Sequence, residues 1–335
     1  MSLLVRHPGL TTSVQDLGRP GFLDLGIAPS GALDPELMAI ANLLAGNQAN
    51  AACLETLALG PVLTVEAESA RIGLAGHFKP SIDGEPCSSW RSHTLFKGQT
   101  LKLGSVDRLR AGYVAVAGGF DLPPVMGSLA AYARAGLGVR LREGTVLPLH
   151  RPNSAPGPEL FLPEPWPSPP HVLRVVWGPE ERSFSAQAKQ RFQESVWRVQ
   201  AQSDRMGLRF DGPALEHRSR ADIAPSGLVQ GCIQVPGDGK PILLLADHQT
   251  TGGYARIAAV ISADLAQAGR LTPGSDVAFK PIDWAQARQA LIERRTYLQS
   301  LLNSIRPLQA IDLEALFAAN LVSGMVDAKG QDDAS

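Results

Sequence analysis

Short apolar runs, each bounded by Gly, Pro or Asp, dominate this chain and constrain its fold more than any other feature. Residues 3–5, 62–66, 70–75, 113–117, 173–177, 231–235, 242–246, 255–261 and 276–282 are apolar or β-branched and stop at turn-forming residues. Runs of that length suit β-strands and are too short for the helices of a bundle. The 33 glycines and 26 prolines supply the turns such a fold needs. Strands and helices do not alternate regularly, which argues against a doubly wound parallel sheet. The fold class predicted is mainly β with a few helices.

Those helices announce themselves by their ends. Asp34-Pro35-Glu36 gives a capping carboxylate, a proline for the first turn and an acid at the positive end of the dipole. Leu37, Ile40, Ala41 and Leu44 then form one stripe that Gly46 ends. A second helix is expected after Gly178-Pro179, with Phe184, Ala188 and Phe192 on one face. A third starts at Asp283 and repeats Trp284, Leu291, Leu298 and Ile305 before Pro307. Arg294 and Arg295 break its narrow stripe, so it is expected to pack on the chain's own barrel. A short fourth covers 312–321, and the polar tail 327–335 reads as disordered.

Residues 151–170 hold eight prolines without periodicity, the composition of a semi-rigid, extended linker. The expected division is a β-rich unit over 1–150, the linker, a β-barrel unit over 171–282, and a helical appendage with tail over 283–335. At 335 residues the chain has the length of about two domains.

Charge and motif content exclude several function classes. A net charge of −1 argues against non-specific nucleic-acid binding. No apolar run is long enough to span a membrane, and Arg6-His7-Pro8 interrupts any signal-peptide core. Cys53, Cys87 and Cys232 are odd in number and widely spaced, so reduced thiols and a cytoplasmic location are expected. There is no Gly-Lys-Ser/Thr phosphate loop, no complete dinucleotide fingerprint, no paired His or Cys for zinc, and no nucleophile elbow. No Lys adjoins a Met, so this chain carries no covalently attached biotin. No metal site is expected.

Polar clusters in Gly-rich turns are the candidates for function. Gln15, Asp16 and Arg19 lie within five residues and either brace a turn or hold an anion. Ser30 precedes the capped helix and either faces a ligand at its N-terminus or belongs to a plain cap with Asp34. Glu55, in the apolar stretch 51–59, is either a buried acid with a raised pKa or a solvent-side residue. Ser203-Asp204-Arg205-Met206-Gly207, then Gln234, then Asp247-His248-Gln249-Thr250-Thr251-Gly252-Gly253-Tyr254 make the densest cluster, the last block read as a loop at a strand's end. So many polar groups beside an apolar strand suggest a binding or catalytic site.

Six blocks stand in one order: Gln15-Asp16-x-Gly18-Arg19-x-Gly21, Ser30-Gly31-Ala32-x-Asp34, Asn42-x-Leu44-x-Gly46-Asn47, Ala117-Gly118-Gly119, Ser203 to Gly207, and Asp247-x-Gln249 to Tyr254. In these the chain resembles the KipA family, the C subunits of bacterial ATP-dependent 5-oxoprolinases, also labelled allophanate hydrolase subunit 2 or biotin-dependent carboxyltransferase family proteins. The resemblance covers residues 3–282. It implies two cyclophilin-like β-barrel subdomains and a complex with a KipI-like B subunit and a LamB/YcsF-like A subunit. The implied reaction opens 5-oxoproline to L-glutamate with ATP and Mg, shared with the partner subunits. Arg205 and Arg19 are then expected to clamp a phosphoryl group, and Asp247 to act as base or metal ligand. Gln249 joins them, with Gln15, Asp16, Ser30, Glu55, Gln234, Thr250, Thr251, Gly252, Gly253 and Tyr254 binding substrate or nucleotide. Asp247, Gln249, Thr250 and Arg205 are expected to converge on one open pocket. The same resemblance allows two other functions: the carboxyltransferase component of a urea carboxylase, or a non-enzymatic antagonist of a KipI-like kinase inhibitor. One loop departs from the family: Leu129-Ala130-Ala131 replaces its Ser-Thr, and of a Gly-Gly-x-x-Gly-Arg pattern only Gly136, Gly138 and Arg140 remain.

Overall fold

Strands far outnumber helices in the computed structural model, which describes residues 1–151, 153 and 157–308. The expected helix over 312–321 and the tail 327–335 lie outside the described residues. All nine expected strand regions form strands, with ends shifted by a residue or two.

In the first half, two antiparallel sheets curl around one core. The six-stranded sheet runs in the order Val146–Pro148, Ser2–His7, Val62–Val65, Thr100–Lys102, Ser81–Ile82, Glu85–Pro86. The five-stranded sheet runs Thr11–Gln15, Cys53–Leu57, Ala111–Val116, Ser69–Ala75, Ser92–Phe96. Leu3, Val5, Leu63, Ile72, Leu74 and Val114 fill the space between them. The other face of the five-stranded sheet is covered by helix α1, Pro35–Ala45. Strand Ala111–Val116 is therefore buried on both faces along its whole length, which is why its sequence does not alternate. Asp34 caps α1, accepting from the amides of Glu36 and Leu37, and Gly46 ends it at φ 82°.

The second half closes into a seven-stranded barrel: Val172–Trp177, Arg256–Val260, Cys232–Gln234, Ile242–Leu244, Gly207–Asp211, Trp197–Val199, Asp276–Pro281. Its last strand returns to pair in parallel with its first. Phe192 stacks on Phe279 at 4.8 Å and Phe210 meets Phe279 edge-on at 5.4 Å, filling the barrel as aromatic pairs do. Phe192 belongs to helix α2, Ala186–Glu194, and a four-residue helix α3, Leu265–Ala268, follows later in the chain. Phe184, Ala188 and Phe192 are all buried, but Phe184 precedes α2: Ser185 caps that helix by accepting from the Ala188 amide, so it starts later than Gly178-Pro179 suggests.

The remaining segments tie the halves together. Helix α4, Trp284–Asn303, opens on an Asp283–Gln286 capping box. Ala290 and Leu291 pack with Ile261 and Ala263 beside the barrel, while Leu301, Leu302 and Ile305 reach the α1 layer. Trp284 is 78% exposed and outside the stripe, a departure from the seven-residue repeat. The proline-rich segment is docked and not a free spacer: Leu160–Phe161 pairs with Arg306–Pro307, and Trp166 stacks on buried Trp90 at 5.6 Å.

Candidate functional site

An arginine lies where the halves meet, and the reason is local. Beyond the pairing of Gly207–Asp211 with Ile242–Leu244, the Leu245 amide donates to the Met206 carbonyl and the Asp247 amide to the Arg205 carbonyl at 3.0 Å. That register sets Arg205 beside Asp247. Arg205 Nε and Nη2 then donate to the two Asp247 carboxylate oxygens at 2.9 and 3.0 Å, a bidentate pair. From the other half come Glu55, which accepts from Nη1, and the Gly31 carbonyl, which accepts from Nη2 at 2.6 Å. Ser30, at φ 57°, donates its hydroxyl to Asp247 and its amide to the Ala246 carbonyl.

Of the two readings of Glu55 the structure gives the buried acid, 1% exposed on the strand Cys53–Leu57. It stands directly opposite Tyr113 in the neighbouring strand, so both side chains take the same face. The Tyr113 hydroxyl donates to Glu55 at 2.7 Å and accepts from the Asp34 amide at 2.8 Å; Glu55 also accepts from the Leu33 amide. Burial, and then the Glu55 charge, push the Tyr113 phenol well above its ordinary value. Burial works to lower the Arg205 pKa, but Glu55 and Asp247 together outweigh it and hold it above the ordinary range. The guanidinium stays charged, and each of its three nitrogens is engaged by its own chain.

A neighbouring cavity of about 190 Å³ is lined by Gln234, Gln249, Tyr254, Asp204 and Arg209 from the barrel half and by Arg134 from the other. Gln249 Nε2 donates to Gln234 Oε1 at 3.1 Å, while Gln234 Nε2 is buried with no partner among the described residues. Gly252 permits this: a Cβ there would stand 2.8 Å from that nitrogen. Thr251–Tyr254 is a strand of a two-stranded ribbon with Asp222–Gly227, not the loop the sequence suggested, because Gly252 and Gly253 let the two backbones pair closely. Thr250 is half-buried before it, its carbonyl accepting from the Leu228 amide. Asp247 and Arg205 do not line this cavity, so the expected convergence on one open pocket splits into an ion cluster and a separate cavity.

Gln15, Asp16 and Arg19 all grip the loop 125–131. Gln15 donates to the Ala131 carbonyl, Asp16 accepts from the Ser128 hydroxyl and the Leu129 amide, and Arg19 donates to the Ala130 and Val125 carbonyls. Asp16 and Arg19 do not pair directly; burial lowers the Arg19 pKa against their mutual attraction. The departing tripeptide Leu129-Ala130-Ala131 is thus held largely through its backbone, which tolerates the change of side chains.

The profile of the carboxyltransferase domain, subdomain A and B, matches residues 25–281. This chain belongs to that family. The C subunit of the 5-oxoprolinase of Escherichia coli is 37% identical over 89% of this carboxyltransferase-family chain and 97% of its own length. The corresponding C subunit of the Haemophilus influenzae 5-oxoprolinase is 30% identical, over 86% and 94%. The crystal structure of Kluyveromyces lactis urea carboxylase superposes with a TM-score of 0.81 at 27% identity, covering 92% of this chain and 30% of that one.

Several residues of this carboxyltransferase-family site escape sequence reasoning. Arg134 and Arg209 reach the cavity only through the fold. Tyr113 carried a usable signal, a phenol in an otherwise apolar strand that burial obliges to find a partner. Among the described residues no group of three or more His, Cys, Asp or Glu is placed to hold a metal ion, and no helix is long and apolar enough to cross a membrane.

Proposed function

We propose that this chain is the C subunit of an ATP-dependent 5-oxoprolinase that works with a KipI-like B subunit and a LamB/YcsF-like A subunit to open 5-oxoproline to L-glutamate. The observation that carries the reading is the 37% identity to the C subunit of Escherichia coli 5-oxoprolinase across 97% of that protein. The site offers the matching chemistry. Gln234 Nε2, buried and unpartnered, donates to a substrate oxygen, and Gln249 fixes the orientation of that amide. Arg134 and Arg209 at the cavity wall attract the substrate carboxylate, and Tyr254 borders it. A volume of about 190 Å³ is below that of drug-sized sites and suits a five-membered lactam acid.

In this reading Arg205 and Asp247 position the cavity rather than touch substrate. The Arg205 donors are taken by Asp247, Glu55 and Gly31, and the Asp247 oxygens by Arg205 and Ser30. A triphosphate with Mg does not fit that saturated cluster, so phosphoryl activation of the lactam is assigned to the partner subunits. A lactam amide resists water until its oxygen is activated, and this chain contributes binding and orientation to that step. Co-purification with both partners, followed by assay of glutamate and ADP from 5-oxoproline and ATP, tests the reading. Turnover that needs all three chains is expected. Carboxyl transfer to urea from carboxybiotin, with no glutamate formed, would instead favour the activity of the urea carboxylase relative.

A further inference from the structure

A second groove, of about 500 Å³, lies between the halves, and Asp204 borders both it and the smaller cavity. Arg108 and Arg110 line it from the first half, and Ser203 and Thr272 from the barrel side. Arg110 is 7% exposed; among the described residues its Nε is buried without an acceptor, and its terminal nitrogens, which reach the groove, have no hydrogen-bond or carboxylate partner. Two other buried arginines of the interface are answered by carboxylates, Arg205 by Glu55 and Asp247 and Arg270 by Asp34 and Glu36, while Arg19 is held by the Ala130 and Val125 carbonyls. An arginine cannot shed its proton to escape burial, and an unpaired buried charge is costly. Burial does lower the Arg110 pKa, with Asp204 and Glu55 opposing and Arg205 adding to the fall. Asp204 does not neutralise it: one carboxylate oxygen accepts from the Met206 and Gly207 amides, and the other faces Arg134 at 3.6 Å. Asp107, on the exposed rim, is the other acid along the groove. Arg108 holds a left-handed backbone at φ 56°, a conformation a non-glycine residue adopts at a cost.

We propose that this groove is an oxyanion site in which Arg110, supported by Arg108, binds the carboxylate or phosphate group of a small metabolite. The site is separate from the cavity beside Gln234 and does not depend on the reaction proposed for it. The fork of a guanidinium suits either group, because both present two oxygens at the spacing of its paired N–H donors.

The test is thermal unfolding of the full chain with phosphate, L-glutamate or 5-oxoproline, each against chloride at equal ionic strength. The expected result is an upward shift of about 2 °C or more with at least one oxyanion. A response to phosphate alone assigns the site to phosphate; a shift with glutamate or 5-oxoproline that Arg110→Met abolishes assigns it to a carboxylate, whereas one that survives Arg110→Met belongs to the cavity beside Gln234. Arg110→Met removes an unpaired cation, so it should melt at or above the wild-type temperature without ligand and lose the shift. Arg110→Lys should fold and keep a reduced shift, and Arg108→Gln should weaken apparent affinity several-fold. The proposal is overturned if no oxyanion stabilises the wild type, or if Arg110→Met keeps every shift the wild type shows. It is equally overturned if ligand-free Arg110→Met melts well below the wild type or fails to fold, because Arg110 would then be structural.

Discussion

Asp247 shows how one residue changes meaning once its neighbours are known. In sequence it reads as a base or metal ligand; in the fold both oxygens are bound by Arg205 and one also by Ser30. Asp247→Asn keeps the shape but leaves Arg205 answered mainly by Glu55. A stability loss of about 3 kcal/mol is expected, the scale for breaking a buried pair, read from urea unfolding. Activity per folded molecule in the reconstituted complex should stay within a few-fold of wild type. A hundred-fold fall in turnover with unchanged unfolding would restore Asp247 to a catalytic role.

Among the elements, α1 and its sheet make the tightest contact. Gly73, in the strand Ser69–Ala75, faces α1 so closely that a Cβ would stand 2.1 Å from the Ala41 carbonyl oxygen. Gly73→Ala forces the helix off the sheet and should cost about 1–3 kcal/mol as overpacking, visible as a lower melting temperature by calorimetry. An unchanged melting temperature would mean the layer is looser than it looks. On the barrel, Glu180 receives Arg256 Nε at 2.7 Å and Nη2 at 2.6 Å, which joins the turn before α2 to the strand Arg256–Val260. Those hydrogen bonds hold the Glu180 pKa below its ordinary 4.5 despite partial burial. Because the folded value is depressed, the pair stabilises fully above the unfolded pKa and loses its effect as pH falls through the folded one. Glu180→Gln should therefore flatten the fall in unfolding free energy between about pH 5 and pH 3. A slope identical to wild type would place the acid sensitivity elsewhere.

At the scale of the molecule, buried ion pairs join the halves. Arg270, 3% exposed at its side chain, bonds Asp34 and Glu36 across the interface, and Arg294 of α4 adds a second bond to Glu36. The two acids hold the Arg270 charge firmly against burial, which would otherwise lower its pKa. Arg270→Met leaves Asp34 buried without its counter-charge and is expected to cost about 3–5 kcal/mol. Arg294→Ala leaves Glu36 with Arg270 and should cost roughly 1 kcal/mol, since its side chain is partly exposed. Urea midpoints for the two variants check the ranking, and equal losses would contradict it. The arginines that interrupt the apolar stripe of α4 are thus explained in part: Arg294 is a bridge to the first half, and it joins α4 to more than the barrel.

Local chemistry decided much of this protein from its sequence alone. Short apolar runs with turn residues at their ends can satisfy their backbones only as strands, and Asp34-Pro35-Glu36 with Gly46 sets both ends of α1 because caps act within one turn. The six ordered blocks were likewise legible, since a motif needs no knowledge of distance. Strands such as Thr11–Gln15 and Trp197–Val199 were not, being short or polar and paired with strands farther along the chain, Cys53–Leu57 and Asp276–Pro281. Only the tertiary structure could decide which candidate side chains face each other. Arg205 reaches Glu55 across 150 residues of sequence, Gln249 pairs with Gln234, and Arg110 Nε is left without a partner among the described residues. Side-chain pairing depends on which faces meet when the sheets and the barrel pack together, and that meeting is set by the whole fold rather than by any one segment.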